Sequence, residues 1–196
     1  MTAVVDYNAG NVRSVMNALS RLGADAVLTS DPDVIRKADR VIFPGVGAAA
    51  SAMAELEKRA LTEVLREYER PFLGICLGMQ LMNAFSEEGD VKLLGITGER
   101  VKLFDRSKGD KIPHVGWNEI RINGDPLFRG IEDGTYFYFV HSYYAEHSVR
   151  TIASCDYAGV TFSAAIRKDN FSGVQFHPEK SGGAGALLLK NFLEVK

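Results

Sequence analysis

One stretch near the middle of the chain decides the fold: Phe72-Leu73-Gly74-Ile75-Cys76-Leu77-Gly78-Met79-Gln80. It reads as an apolar strand, then a cysteine between two glycines, then residues that favour a helix. This order is typical of a nucleophile elbow, a sharp strand-to-helix turn that presents one side chain at the top of a parallel sheet. A cysteine at the start of a helix lies at the positive end of the helix dipole, which favours the thiolate. We therefore expect Cys76 to be a nucleophile rather than a small core residue.

A second segment, near the end of the chain, reads Gly173-Val174-Gln175-Phe176-His177-Pro178-Glu179-Lys180-Ser181. It begins as an apolar strand, and Pro178 removes a donor and fixes the backbone between a histidine and a carboxylate. If these residues are extended, side chains at i and i+2 project to the same side, so Glu179 can orient the His177 imidazole. Cysteine, histidine and glutamate are a thiolate nucleophile, its base and the group that orients the base. The sequence therefore predicts a triad of Cys76, His177 and Glu179.

The remaining candidates for chemistry give weaker signals. His114, His141 and His147 lack a neighbouring carboxylate of this kind, and we expect His147 at the surface. Cys155 has no flanking glycines and lies inside a predicted strand, which favours a structural role. The loop Pro44-Gly45-Val46-Gly47 follows another strand, and its glycines would let backbone amides approach a substrate closely. No Lys-Ser, Lys-Thr or Gly-x-Gly-x-x-Gly accompanies that loop, so a role in oxyanion or substrate binding is favoured over phosphate binding.

Length and composition exclude several classes of protein. The 196 residues suffice for one domain, which we place at 1–196. The net charge of −2 implies no nucleic-acid partner, and no apolar run approaches the ~20 residues of a membrane helix. The first residues do not resemble a signal peptide, and two cysteines make a disulfide framework improbable. We therefore expect a cytoplasmic protein without a cofactor or a bound metal.

The order of elements predicts an α/β fold. In the first half, strands at 3–6, 24–29, 40–43 and 72–75 alternate with helices, one of them at 11–22 and a short one started by Asp31-Pro32. Such alternation indicates a mostly parallel central sheet flanked by helices. The second half is rich in strands, and a closing helix at 184–195 follows the Gly182-Gly183 break. The predicted strands of this half are 100–103, 117–122, 136–141, 152–157, 162–167 and 171–176.

Together these segments resemble the class I, triad-type glutamine amidotransferases, whose glutaminase domains carry a Gly-x-Cys-x-Gly elbow and a late His-Pro-Glu. The resemblance covers essentially the whole chain. More specific segments are similar to the glutaminase subunits of imidazole glycerol phosphate synthases, which act in histidine biosynthesis. The segments that carry this narrower resemblance are Asp6-Tyr7-x-Ala9-Gly10-Asn11, Pro113-His114-Val115-Gly116-Trp117-Asn118 and Phe139-Val140-His141-Ser142-Tyr143. The family's glycine loop often continues with an aromatic residue, whereas here it continues Ala48-Ala49-Ala50.

The resemblance implies a mechanism and a set of site residues. Cys76 would attack the side-chain amide of glutamine, and His177, oriented by Glu179, would protonate the departing ammonia. A glutamyl thioester would form and be hydrolysed by water that His177 activates. The oxyanion would be held by the amides of Val46 and Leu77, with a peptide flip at Val46. The residues that match positions contacting glutamine in relatives are Gly47, Gln80, Ser142 and Tyr143.

The resemblance also implies a partner. In this family the ammonia passes to a separate (β/α)8-barrel cyclase subunit, which makes imidazole glycerol phosphate and an aminoimidazole carboxamide ribotide. Such a barrel takes ~250 residues, more than this chain has. The positions that match the family's interface with the cyclase are Asn11, Trp117, Asn118, Tyr138 and Lys180.

Three alternatives remain open from the sequence. One is a class I glutaminase that serves anthranilate, pyridoxal phosphate or purine synthesis, against which the segments around Trp117 and Tyr143 argue. Another is a cysteine peptidase or chaperone-like protein on a related sheet, since elbow cysteines recur with different chemistry. The third is a binding protein in which Cys76 is inert, and the presence of a full triad disfavours it.

Overall fold

The computed structural model describes residues 1–8 and 10–195, with Lys108 described through its backbone alone. Ala9 of the first motif and Lys196 of the predicted domain lie outside the described residues. The helices are α1 Val12–Arg21, α2 Pro32–Lys37, α3 Ala49–Lys58, α4 Thr62–Arg66, α5 Leu77–Leu81 and α6 Gly182–Glu194, with 3-10 turns at Arg106–Lys108, Pro126–Phe128 and Pro178–Lys180. The strands are β1 Thr2–Val5, β2 Ala26–Thr29, β3 Arg40–Gly45, β4 Phe72–Cys76, β5 Phe85–Ser86, β6 Val91–Lys92, β7 Arg100–Leu103, β8 His114–Glu119, β9 Arg121–Ile122, β10 Tyr136–His141, β11 Tyr143–Ala145, β12 Thr151–Tyr157, β13 Val160–Lys168 and β14 Phe171–Val174.

An eight-stranded sheet forms the centre of the fold, in the order β2-β1-β3-β4-β14-β13-β12-β9. The pairs from β2 to β14 are parallel, and those from β14 to β9 are antiparallel. The central strands are buried on both faces, as helices covering both sides of a parallel sheet require. Ala3 and Val5 pack into one apolar cluster and Val4 into the other, which follows from the two-residue period of a strand. The predicted α/β fold is confirmed.

Two smaller sheets lie beside the central one. Strands β11, β7, β5 and β6 form one of them, and β8 pairs with β10 in an antiparallel ribbon that places Trp117 opposite Tyr138. The backbone of Tyr138 holds the segment after β14, because its carbonyl accepts from the His177 amide at 2.9 Å and its amide donates to Ser181 Oγ at 3.0 Å. The ribbon therefore fixes the histidine of the second motif from outside the main sheet.

Several predicted elements differ from the structure by one or two residues at their ends, and two differences concern the path of the chain. The strand expected at 117–122 is two strands in different sheets, separated at Ile120, which is fully buried and exchanges backbone hydrogen bonds with Gly134 and Thr135. The closing helix begins at Gly182, so the Gly182-Gly183 pair lies in its first turn rather than before it. Within the described part of the chain, no helix is long and apolar enough to cross a membrane.

Candidate active site

Cys76 lies at the junction of β4 and α5, where the chain turns sharply. Its backbone has φ 53° and ψ −109°, a conformation that costs a residue with a side chain roughly 1–3 kcal/mol. The turn packs tightly because Gly78 has no Cβ; a Cβ at this position would overlap the carbonyl of Phe43 on the neighbouring strand. The strained cysteine at the end of a central strand has the geometry expected of an elbow.

His177 and Glu179 meet beside this turn. The Nδ1 of His177 lies 2.8 Å from Oε1 of Glu179, and the two side chains are 3% and 0% exposed. The segment does not follow the extended path considered from the sequence. Pro178 starts a 3-10 turn immediately after His177, and this turn carries Glu179 back to the imidazole. The carboxylate therefore orients the ring by a tight turn rather than by strand alternation.

The environment of His177 favours its charged form. Burial alone would lower the pKa of His177, but the Cys76 thiol and the Glu179 carboxylate outweigh it and raise that pKa to about 10. The Oε1 of Glu179 also accepts a hydrogen bond from Nδ2 of Asn11 at 2.6 Å. Asn11, which the resemblance assigned to a partner interface, thus contacts the carboxylate directly.

A cavity of about 350 Å³ opens over Cys76, which is within the ~300–1,000 Å³ typical of small-ligand sites. It brings together the residues that the sequence singled out from four separate segments. With the exception of buried Glu179, every predicted catalytic, oxyanion and glutamine-contacting residue lines it: Val46, Gly47, Cys76, Leu77, Gln80, Ser142, Tyr143 and His177.

Two polar residues in or next to the cavity were not selected from the sequence, and His141, which was set aside there, also lines the cavity. Gln175 is fully buried, and its Nε2 lies 3.7 Å from Sγ of Cys76, while its Oε1 accepts from Nε2 of Gln80 at 2.9 Å. Its position in the motif, two residues before His177, was visible, but the inward direction of its side chain was not.

Glu88 is the second residue that the sequence analysis missed. It lines the cavity, and its Oε2 accepts from the amide of Ala49 at the start of α3, at 2.8 Å. Burial raises the pKa of Glu88 against the opposing effect of that amide. The neighbouring Gly89 packs closely on α3, because a Cβ there would lie 2.8 Å from that of Ala50.

The glycine loop lies at the rim of the cavity. The hydroxyl of Tyr7 occupies the space that a Cβ on Gly45 would need, which explains the glycine at this position. Val46 is 38% exposed, and Gly47 has φ 106°, a value that favours glycine. The loop therefore borders the open side of the cavity next to Cys76.

Three of the residues predicted at a partner interface cluster on the exposed face of the β8–β10 ribbon. Trp117 is 54% exposed, which excludes a core role, and it packs edge-on against Tyr138 with ring centroids 6.0 Å apart. The Nζ of Lys180 lies 5.9 Å above the Tyr138 ring, and Lys180 also borders the cavity. Asn118 instead points toward His114.

The structural predictions for two other residues are confirmed. Cys155 is 2% exposed, and burial raises the pKa of its thiol to about 12, as is typical of an unreactive core cysteine. His147 is exposed. Neither residue lines the cavity.

Comparison with known proteins identifies the family. The family model described as glutamine amidotransferase class-I matches residues 3–195. The chain is 53% identical over 194 residues to the imidazole glycerol phosphate synthase subunit HisH of Bacteroides fragilis (strain YCH46), and 50% identical over 195 residues to that of Escherichia coli (strain K12). In both cases the match covers 98% of each chain.

Solved structures show the same fold at lower identity. A structure described as a glutamine amidotransferase has a TM-score of 0.75 at 17% identity, over 98% of this chain and 97% of that one. The structure described as PurLQS from Thermotoga maritima has a TM-score of 0.70 at 19% identity, over 98% and 96% of the two chains.

From the family model and the HisH relatives, the chain belongs to the class I glutamine amidotransferases and, within them, to the HisH family.

Proposed function

We propose that the chain hydrolyses glutamine to glutamate and ammonia, and that it delivers the ammonia to a separate (β/α)8 cyclase subunit. The cyclase would use it to make imidazole glycerol phosphate and an aminoimidazole carboxamide ribotide in histidine biosynthesis. The observation that carries the proposal is the strained Cys76 beside the bonded pair His177 and Glu179. The names of the relatives, each a subunit of imidazole glycerol phosphate synthase, support the partner. Two buried, unpaired cysteines support a cytoplasmic location.

The chemistry proceeds in two halves. Sγ of Cys76 forms a bond to the side-chain carbonyl carbon of glutamine, and the carbon–nitrogen bond breaks as His177 gives its proton to the departing ammonia. The product is a glutamyl thioester. His177, now neutral, takes a proton from water, whose oxygen attacks the thioester carbon and displaces the Cys76 thiolate with release of glutamate. The raised pKa of His177 supports an imidazolium at neutral pH, ready for the first half.

The developing oxyanion needs two donors. We assign them to the backbone amides of Leu77, directly after the nucleophile, and of Val46 in the glycine loop. The left-handed backbone of Gly47 supports a loop whose peptide at Val46 can turn over. The loop would then act as a switch that completes the oxyanion hole.

The cavity wall supplies groups for the rest of the substrate. Gly47, Gln80, Ser142 and Tyr143 surround the space beside Cys76 and would contact bound glutamine. Glu88 adds a half-buried carboxylate that a cation would stabilise. We assign it to the α-ammonium of glutamine, because the Oε1 of Glu88 remains for a ligand while Oε2 caps Ala49.

The partner surface is assigned to the face around Trp117. An exposed tryptophan against Tyr138, with Lys180 alongside, has the composition of an interface hot spot. Asn118 lies on the same strand, and Asn11 would connect this region to Glu179. Lys180 borders both the surface cluster and the cavity, so a partner bound there would be close to the ammonia that leaves Cys76.

The proposal is tested by adding the purified cyclase with its nucleotide ligand and measuring glutamate release. We expect low glutaminase activity from the chain alone and a large increase in the complex. An increase with an anthranilate-forming partner instead would contradict the subfamily assignment. Turnover of a peptide substrate without glutamine hydrolysis would favour the peptidase alternative.

A further inference from the structure

Two buried histidines from the family-specific motifs take no part in the chemistry described above. His114 and His141 are cross-strand partners in the β8–β10 ribbon, and Nδ1 of His114 lies 3.0 Å from Nε2 of His141. They are 3% and 6% exposed. His114 is also stacked on Tyr157, with ring centroids 3.8 Å apart. Both histidines are thus held rigidly in a largely aromatic environment.

Only one assignment of donors and acceptors satisfies the hydrogen bonds around these two rings. Nδ1 of His141 lies 2.7 Å from the carbonyl of Tyr143, which can only accept, so this nitrogen carries the hydrogen. In a neutral ring the Nε2 of His141 is then an acceptor, and Nδ1 of His114 must donate to it. Nε2 of His114 in turn accepts from Nδ2 of Asn118 at 3.3 Å. The Asn118 amide is fixed in this orientation because its Oδ1 accepts from the amide of Glu119.

Both rings are neutral at ordinary pH. Burial lowers the pKa of His114 to about 4. Burial lowers the pKa of His141 to about 3, with help from His114 and His177 and against the hydrogen bond to Tyr143. Each ring therefore has one donor and one acceptor, as the chain of hydrogen bonds requires.

The chain of hydrogen bonds ends at the wall of the cavity. The Tyr143 carbonyl that accepts from His141 also accepts from Nε2 of Gln80 at 2.8 Å. The same Nε2 donates to Oε1 of Gln175, so both hydrogens of the Gln80 amide are used. If the side-chain amide of Gln80 were flipped, its oxygen would face the Tyr143 carbonyl, and two acceptors would be in contact without a hydrogen between them. The oxygen of Gln80 is therefore the only polar group of that side chain left for a ligand.

We propose that His114 and His141 are positioning residues that fix the Tyr143 carbonyl and, through it, the Gln80 amide, so that Gln80 offers an acceptor to hydrogen-bond donors of the bound substrate. The inference rests on the proposed function, because it assigns the substrate as glutamine, which carries such donors on its carboxamide and ammonium groups. It predicts an effect on substrate binding rather than on bond breaking.

The kinetic test uses variants of His141 in the complex with the ligand-bound cyclase. His141→Asn keeps an N–H near the position of Nδ1, whereas His141→Phe keeps the ring shape and removes both nitrogens. We expect His141→Phe to raise the glutamine KM about threefold to tenfold with little change in kcat, since one hydrogen bond is lost from ground-state binding. His141→Asn should restore most of the affinity. His147→Phe, at the surface, is the matched control and should leave KM unchanged.

An unchanged KM in His141→Phe, or equal losses in the asparagine and phenylalanine variants, would overturn the proposal. A second measurement needs neither a variant nor activity. Nitrogen-15 NMR of the imidazoles should show both His114 and His141 as neutral Nδ1–H tautomers at pH 7. An Nε2–H tautomer at His141 would overturn the proposal even if the protein hydrolyses glutamine. Absence of glutamine hydrolysis with correct tautomers would instead contradict the proposed function.

Discussion

The molecule holds buried histidines in two contrasting sites. His177, next to Cys76 and Glu179, is held in its charged form, with its pKa raised to about 10. His141, in the β8–β10 ribbon, is held neutral, with its pKa lowered to about 3. Both are nearly inaccessible, at 2% and 6% exposure. Burial disfavours the charge in both sites, so the difference comes from their partners.

The partners explain what each histidine can do. His177 faces Cys76 and Glu179, whose hydrogen bonds and charges favour the protonated imidazole. His141 faces a second histidine and a carbonyl, neither of which stabilises a cation enough to offset burial. We therefore expect the first site to move protons and the second to fix the direction of hydrogen bonds.

Removing the thiol should have the largest effect. Cys76→Ala is expected to abolish glutamine hydrolysis, a loss of at least about 10³-fold in kcat, because no acyl acceptor remains. It should also lower the pKa of His177, which loses an anionic neighbour. Glutamate release and an NMR titration of His177 measure the two effects. Cys155→Ala, at a buried cysteine away from the cavity, is the control and should retain activity.

Neutralising the carboxylate comes next. Glu179→Gln should lower kcat roughly 10²–10⁴-fold, because the imidazolium loses the charge that stabilises and orients it. Cys76 and Glu179 together raise the pKa of His177 from 6.5 to about 10, so the stability they give its charged form is fully present below about pH 6.5 and is lost as pH rises through about 10. The advantage of wild type over Glu179→Gln in free energy of unfolding should therefore shrink between pH 7 and pH 10. A constant advantage across that range would contradict the assignment.

Removing the charge of Glu88 separates binding from proton transfer. Glu88→Gln keeps an oxygen to cap Ala49 but loses the attraction for the α-ammonium, so the glutamine KM should rise about tenfold with kcat nearly unchanged. Glu87→Gln is the control, because Glu87 is exposed and bonds the amide of Leu103 instead. Equal effects of the two substitutions on the glutamine KM would contradict the assignment of Glu88 to the substrate site.

The smallest change in the glutaminase chemistry is expected at the outer face of the ribbon. Trp117→Ala should weaken binding of the cyclase by about 2 kcal/mol, as loss of an interface hot spot does, while the saturated complex hydrolyses glutamine at a similar rate. Calorimetric titration with the cyclase measures the affinity. Val149→Ala removes an exposed apolar side chain elsewhere and should bind normally. Normal binding of the cyclase by Trp117→Ala would exclude this face as the cyclase-binding surface.

The sequence was informative where chemistry depends on local order. The elbow was predicted because an apolar strand, a cysteine and two glycines are adjacent, and the structure places Cys76 at that junction. The path through His177-Pro178-Glu179 is left open by the sequence, because proline at the first position of a turn is as compatible with a 3-10 turn as with a strand. Local pattern alone does not distinguish the two.

Contacts between distant segments outside the predicted triad and substrate residues were not predictable in this way. The pairing of His114 with His141 depends on the register of β8 against β10, and their motifs reveal the residues but not the register. Glu88 reaches the cavity because its loop packs against the start of α3, a contact between segments 39 residues apart. Such placements depend on tertiary packing rather than on any local signal.

Covalent catalysis at Cys76 is tested by trapping its acyl intermediate. The complex with the cyclase is mixed with isotopically labelled glutamine, quenched in acid during turnover, and mapped by peptide mass spectrometry, for wild type and Cys76→Ala in parallel. The account predicts a hydroxylamine-sensitive glutamyl label on the peptide containing Cys76, with neither label nor glutamate release in the variant. A label on another residue, or glutamate release by Cys76→Ala, would contradict it.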